Sequence, residues 1–130
     1  AGIMEMRDID EISDAVRALL PGRLPHGKRV AALGSSAGSC ILFADRCAEL
    51  GLEMATLAPE TEAALRRVLP PFGSPRNPVD ITADIFNDLS NFGRAVDIVL
   101  ADPSVDQLAQ LAGPGVEPLG LELLAGERLH

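Results

Sequence analysis

The sequence predicts an α/β fold, a parallel sheet covered by helices on both faces. Three observations carry that prediction. Apolar stretches of strand length alternate with segments of helical periodicity, turn residues separate them, and a Gly/Ser loop joins the first strand to the helix after it. Strands and helices in alternation build right-handed βαβ units, whose strands lie parallel and need cover on both sides.

The first element is a helix. Asp8 followed by Glu11 reads as a capping box, and Ile9, Ile12, Val16, Leu19 and Leu20 recur at helical spacing until Pro21-Gly22 stops them. PGRLPHG is a linker, so residues 1–27 are a lead-in helix and linker and residues 28–112 are the α/β domain. Val30 to Gly34 is a short apolar strand behind Lys28 and Arg29. Beyond the Gly/Ser loop, Cys40, Phe43, Ala44, Cys47 and Leu50 line one face of a helix, with Asp45, Arg46 and Glu49 elsewhere and Gly51 placed to end it.

Leu52 to Leu57 returns as a strand. Pro59 suits the first turn of the next helix, Glu60 and Glu62 sit near its positive end, Arg66 and Arg67 near its negative end, and Pro70-Pro71 stop it. FGSPRNPVDIT is an extended loop leading into a short strand, Val79 to Ile81. A last helix runs from Asp88 to Leu100 with Leu89, Phe92, Val96, Val99 and Leu100 inward, closed by Asp102-Pro103. Val105 to Ala112 fits a sheet strand. Residues 113–130 are a divergent tail in which Leu119, Leu121 and Leu123 alternate with no helix to cover them, a pattern open to pairing with a second copy as a homodimer.

At 130 residues the chain suits one domain. A net charge of −8 leaves no basic stripe, which argues against nucleic acid and anionic membrane as partners. Four Phe with no Trp or Tyr provide no stacking platform for bases. No apolar run approaches the roughly 18 to 20 residues of a membrane helix. Cys40 and Cys47 would lie about 10 Å apart along a helix, too far for a disulfide within it. They read as small core residues in a reducing, cytoplasmic setting, and two thiols with no other soft ligand nearby make no metal site. No signal peptide is visible, and the chain opens on Ala1, as a piece of a longer protein or a processed chain would.

The chemistry concentrates in VAALGSSAGSCILFAD, Val30 to Asp45. Gly34 to Gly38 is a literal G-x-S-x-G, the pattern of a nucleophile elbow, and it is equally a loop whose amides can hold a phosphate. In a parallel sheet ligands collect at the carboxyl ends of strands, where this loop lies. The candidate phosphate-binding residues are Ser35, Ser36, Ala37, Gly38, Ser39 and Cys40. Small residues allow close backbone approach, and the first-turn amides and helix dipole favour an anion.

Two other readings stand beside it. Ser35 or Ser36 simply caps the helix while Gly38 relieves crowding, or Ser36 is the nucleophile of a small serine hydrolase. The hydrolase needs an upstream oxyanion loop and a downstream His, and the only downstream His is His130, the last residue. GSSAGS lacks the third glycine of a dinucleotide fingerprint, and no acidic residue ends the next strand. Asp80 alone does not make the aspartate cluster of a phosphoacceptor domain, and His26 reads as a solvated loop residue. In NPVD, Pro78 holds Asn77 extended, and Asn77 and Asp80 are candidates to tie the loop down through backbone amides.

Several segments together resemble one family. The Gly-rich turn after the first strand, Asp45 in the following helix, ELGLE (Glu49 to Glu53), the ETxxxL helix (Glu60 to Leu65), LPP (Leu69 to Pro71), NPVD (Asn77 to Asp80) and DPSVD (Asp102 to Asp106) carry the likeness. It covers about residues 1 to 108. They resemble the third domain of the alpha part of nucleoside-diphosphate-forming, ADP-forming acyl-CoA synthetases, relatives of succinyl-CoA synthetase.

The resemblance implies a three-layer, flavodoxin-like domain whose helix start, Ser35 to Cys40, helps form a phosphate pocket with a neighbouring domain. That family interconverts acyl-CoA, ADP and phosphate with acid, ATP and CoA through a phosphohistidine. The resemblance therefore implies CoA-binding, phosphohistidine and ATP-grasp domains as partners, with ATP/ADP, Mg and CoA used by the parent enzyme and no cofactor held by this chain. It assigns no catalytic residue here. The chain departs from the family where Ser36-Ala37-Gly38-Ser39 replaces two adjacent glycines, and neither His26 nor His130 matches the phosphohistidine. The rival to an enzyme domain is a non-catalytic interaction domain.

Overall fold

A computed structural model describes residues 4–20, 24–83 and 87–111. In chain order the elements are α1 (Ile9–Leu19), β1 (Arg29–Gly34), α2 (Ala37–Glu49), β2 (Glu53–Met54), α3 (Pro59–Val68), β3 (Val79–Asp80), α4 (Leu89–Leu100) and β4 (Gln107–Leu111). Pro21, Gly22, Leu119, Leu121, Leu123 and His130 lie outside the described residues.

β1 is the centre of a parallel sheet. Along one edge it pairs with β4, from Val30 opposite Gln107 to Gly34 opposite Leu111. Its other edge is shared. β2 pairs with the first part of β1 (Arg29 opposite Glu53, Val30 opposite Met54), and β3 with the last part (Leu33 opposite Val79, Gly34 opposite Asp80). The expected strand over Leu52 to Leu57 is thus a two-residue ladder. Ala55 still donates to the Val30 carbonyl at 2.8 Å, and the chain then leaves the sheet.

Alternation along β1 sorts its side chains between two faces. Ala31 and Leu33 join Leu57, Leu65, Val79, Ile81, Ala95, Val99 and Leu108 in a core under α3 and α4. Val30, Ala32 and Gly34 face the other way, where α2 rests on β1 and β2 with Cys40 and Cys47 buried. Helices therefore cover both faces, and the domain is a three-layer, flavodoxin-like α/β fold. Cys40 and Cys47 are both free thiols, and burial pushes each thiol pKa up.

Local signals account for the helix ends. Asp8 accepts from the Glu11 amide at 2.8 Å, while Glu11 accepts from the Arg7 amide at 2.7 Å, one residue before the capping-box partner. Gly51 adopts φ +71 and closes α2, the left-handed turn that glycine makes without steric cost. Leu50, expected on the inward face, is the C-cap of α2 and is 60% exposed. Pro59 occupies the first turn of α3, with Glu60 and Glu62 beside it and Arg66 and Arg67 in the last turn. On α4, Ala95 and Val99 are fully buried and Phe92, Val96 and Leu100 are partly buried against the core. No helix among the described residues is long and apolar enough to cross a membrane.

Candidate functional site

Gly34 ends β1, and two residues later the chain starts α2. Ser36 is the N-cap, in extended geometry at φ −137 and ψ 120, and its side chain makes no capping hydrogen bond. Its carbonyl accepts from the Cys40 amide at 3.1 Å, the first bond of the helix. The amides ahead of Cys40 have no carbonyl one turn back to receive them. Ser36 to Ser39 are exposed, Ser35 is half-buried and Cys40 is buried. Four of the six candidate phosphate residues thus lie on the surface at the carboxyl end of the central strand.

The two glycines of the loop do different things. A side chain at Gly34 would place its Cβ 2.5 Å from Cys40 Sγ, so glycine lets the start of α2 sit directly on the strand end. At Gly38 the nearest atom to such a Cβ is Ser36 Oγ at 3.8 Å, an ordinary contact. Gly38 has no crowding to relieve, and Ser36 does not cap through its side chain.

Asn77 and Asp80 approach from the NPVD segment. Where β2 has left β1 and β3 has not yet joined, the Asn77 side chain occupies the gap. Its Oδ1 accepts from the Ala32 amide at 2.9 Å, and its Nδ2 donates to the carbonyls of Val30 and Ala55, each at 2.8 Å. One side-chain amide thereby takes the hydrogen bonds that a strand residue would make, and ties β1, β2 and the loop together. Such backbone groups are costly to bury unpaired.

Asp80 stands opposite Gly34. The backbone after it continues the pairing, with the Ile81 amide donating to the Gly34 carbonyl at 2.9 Å. Asp80 Oδ1 accepts from the Thr82 amide at 2.9 Å, a side-chain turn two residues on. Thr82 has φ +50, an unusual conformation for a β-branched residue, at the edge of the site. The Cys40 thiol is pushed up mainly by burial and further by the Asp80 carboxylate, which places a negative charge close to the loop.

Among the described residues the geometry assembles no Ser/His pair, and His130, the downstream His a hydrolase would use, lies outside them. His26 precedes β1 at its amino end, whereas Ser36 follows the carboxyl end. Six strand residues, about 20 Å, separate the two. Ser36 is also in relaxed extended geometry, unlike the strained turn of a nucleophile elbow. Among the described residues no group of His, Cys, Asp and Glu is arranged to hold a metal. A shallow cleft lies elsewhere, between α3 and α4, lined by Ala64, Arg67, Val68, Arg94, Asp97 and Ile98.

Two acidic residues that the sequence marks only as the ends of DPSVD, with no contact assigned to either, support the frame. Asp102, 3% exposed, accepts from the amides of Ala58 and Ser104, each at 2.8 Å. Burial pushes its pKa up, and the hydrogen bonds from Thr61, Ser104 and Ala58 outweigh that, leaving it below the usual carboxylate value. Ala58, the N-cap of α3, has no side-chain oxygen for the first-turn amides, and Asp102 holds the Ala58 amide itself from the turn before β4. Asp106 grips Arg29, with guanidinium contacts of 2.6 and 3.0 Å and a backbone contact of 2.9 Å; the Arg29 hydrogen bonds bring its pKa down to about 2. The only sequence signal for either is the DPSVD segment itself.

Comparison with known proteins accords with this arrangement. A family profile described as the Ligase-CoA domain matches residues 30–112. The acetate–CoA ligase [ADP-forming] II subunit alpha of Pyrococcus furiosus is 35% identical over 108 residues, which are 83% of this chain and 23% of that protein. The 4-hydroxybutyrate–CoA ligase [ADP-forming] of Nitrosopumilus maritimus is 28% identical over 114 residues, 88% of this chain and 16% of that one.

Among solved structures, a crystal structure from Pyrococcus horikoshii OT3 superposes with a TM-score of 0.77 at 34% identity, covering 85% of this chain and 25% of that one. The dinucleotide-forming acetyl-coenzyme A synthetase 1 of Ca. Korarchaeum cryptofilum, in complex with phosphate and ADP, gives 0.70 at 27% identity, with 85% and 24% covered. The chain therefore spans between 16% and 25% of the length of these relatives. The profile runs from Val30 in β1 through β4 and so takes in all of the sheet but Arg29, with the Ser35 to Cys40 turn and the NPVD clamp: the chain belongs to the Ligase-CoA domain family.

Proposed function

We propose that this chain is a domain of an ADP-forming acyl-CoA synthetase and that the turn from Ser35 to Cys40 stabilises a phosphoryl group in transit. The single observation that carries the reading is the helix start at the carboxyl end of β1, exposed and with no side-chain cap on its amides. Oriented N–H groups and a helix dipole stabilise a phosphoryl anion without a nucleophile of their own. The names of the family relatives, ADP-forming CoA ligases, support the reaction class, acid, CoA and ATP giving acyl-CoA, ADP and phosphate.

Within that reading the Ser35, Ser36 and Ser39 hydroxyls supplement the backbone, and Asn77 and Asp80 position the loop. No residue of this chain carries the transferred group, so the isolated domain does not turn over. Among the described residues no carboxylates are grouped to hold magnesium. Magnesium, ATP/ADP and CoA, together with the phosphohistidine, fall to the CoA-binding, phosphohistidine and ATP-grasp domains that complete such an enzyme. Two free, buried thiols suit a cytoplasmic setting.

A phosphate titration followed by backbone amide shifts, with chloride at matched ionic strength as control, tests the proposal. Selective, saturable shifts of residues 35–40 are expected. Shifts no larger than those with chloride would overturn it and leave the turn a plain helix start.

A further inference from the structure

The cleft between α3 and α4 lies on the face of the sheet opposite α2. Both helices run back from the carboxyl ends of strands, so Arg67, Val68, Asp97 and Ile98, in their last turns, lie towards the amino end of the sheet, away from the phosphate turn. The floor is apolar. Val68 and Ile98 pack against the core on one side and are half-open on the other, and the short side chain of Ala64 lies beside them. The volume is about 410 Å³, within the range of small-ligand pockets. Arg67 from α3 and Arg94 from α4 line it together with Asp97.

Among the described residues, neither guanidinium takes part in a hydrogen bond or an ion pair. Arg46 closes on Glu49 three positions on at 2.7 Å, whereas Arg94 does not close on Asp97 at the same spacing. The field of Arg94 reaches Asp88, whose carboxylate is already engaged by Ser90 and Asn91. Arg67 stands in the last turn of α3, where a helix dipole favours a cation, but Arg94 is in mid-helix and has no such reason. Two cations and one anion leave the cleft with one positive charge, in a chain whose net charge is −8.

We propose that this cleft is a binding site for a small aliphatic monocarboxylate, its carboxylate held between Arg67 and Arg94 and its chain laid on Ala64, Val68 and Ile98. The planar guanidinium fork matches a carboxylate, and two forks from different helices hold it from two sides. Asp97 sets the charge: a monoanion neutralises the cleft, whereas a phosphate dianion also meets that carboxylate. Six lining residues fall well short of the roughly 20 to 30 a side in a standard protein interface, which favours a small ligand over a docked protein. The cleft is shallow and covers the chain of such an acid from one side, so the affinity is modest.

Titration of the whole chain with hexanoate, followed by backbone amide shifts, tests this. Saturable shifts of residues 64–68 and 94–98 are expected. Binding should tighten about twofold per added methylene from butanoate to octanoate, because one side of the chain stays wet. Hexanol should bind at least several-fold more weakly than hexanoate. Arg67→Gln and Arg94→Gln should each weaken hexanoate several-fold, and Asp97→Asn should tighten it. Arg66→Gln, beside the cleft but outside its lining, should leave it unchanged. All four side chains are exposed, so the variants keep the fold. No saturable shift with hexanoate, equal binding of hexanol, or an equal loss from Arg66→Gln overturns the site. Tighter binding of an acetylated Leu-Glu-Leu amide than of hexanoate assigns the cleft to a protein segment and overturns the small-acid ligand.

Discussion

Asn77 shows how much one side chain can hold. Its amide meets a backbone N–H and two carbonyls at a point where β1 has no neighbouring strand on that edge. Asn77→Ala strands those groups in a partly buried site, at a cost of about 1–3 kcal/mol for each group left unpaired and dry. A loss of roughly 2–4 kcal/mol is expected in urea denaturation, allowing for water reaching one of them. Asn77→Asp retains the acceptor for Ala32 but aims a carboxylate at two carbonyls, and should destabilise at least as much. If both variants unfold at the parent midpoint, the clamp carries no stability. The NPVD motif marks Asn77 in the sequence as a residue that ties a loop down, but its partners are 45, 47 and 22 positions away. No periodicity names a contact that distant. The Ser35 to Cys40 turn is legible for the opposite reason, because strand, small-residue loop and helix are contiguous.

Among the elements, the helices follow from their own sequences and the strands follow from each other. α3 is written in Pro59 and its sorted charges, and α2 in the spacing of Cys40 and Cys47 up to Gly51. β2 and β3 each form only two ladder residues because they divide one edge of β1, a tertiary fact with no local signature. What joins β4 to β1 at the start of the sheet is the pair Arg29 and Asp106, reinforced by Gln107 donating to the Gly27 carbonyl at 3.2 Å.

That pair sets a pH window. The folded Asp106 pKa is about 2, below the roughly 3.9 of an unfolded aspartate. A depressed carboxylate contributes stability above its unfolded pKa and loses it as pH falls through the folded value. Part of the stability should therefore disappear between about pH 4 and pH 2. Asp106→Asn should flatten that portion of the acid limb measured by urea midpoints. The lowered Asp102 contributes in the same direction, so Asp106→Asn removes part of the slope, and an unchanged slope would assign it to Asp102 and the other carboxylates.

At the scale of the whole molecule, strand polarity divides labour between the two ends of the sheet. The amino end carries the Arg29 to Asp106 clamp, and the carboxyl end carries the exposed turn with Asp80 beside it. About 20 Å of β1 lies between them, beyond the range at which exposed charges act strongly on each other in physiological salt. Asp80 is the charge that should matter for an anion at the turn, because it adds repulsion where the amides attract. Asp80→Asn keeps an oxygen for the Thr82 amide and removes that repulsion, so phosphate affinity at residues 35–40 should rise roughly 3- to 10-fold with little change in urea midpoint. Arg29→Ala should do the reverse, lowering the midpoint while leaving phosphate affinity where it was. Sites this far apart with no shared partner combine additively, so the double variant should show both effects at full size. If Arg29→Ala instead moves the affinity, the two ends are coupled through β1, and the turn is set by the strain and register of the whole sheet rather than by the residues that surround it.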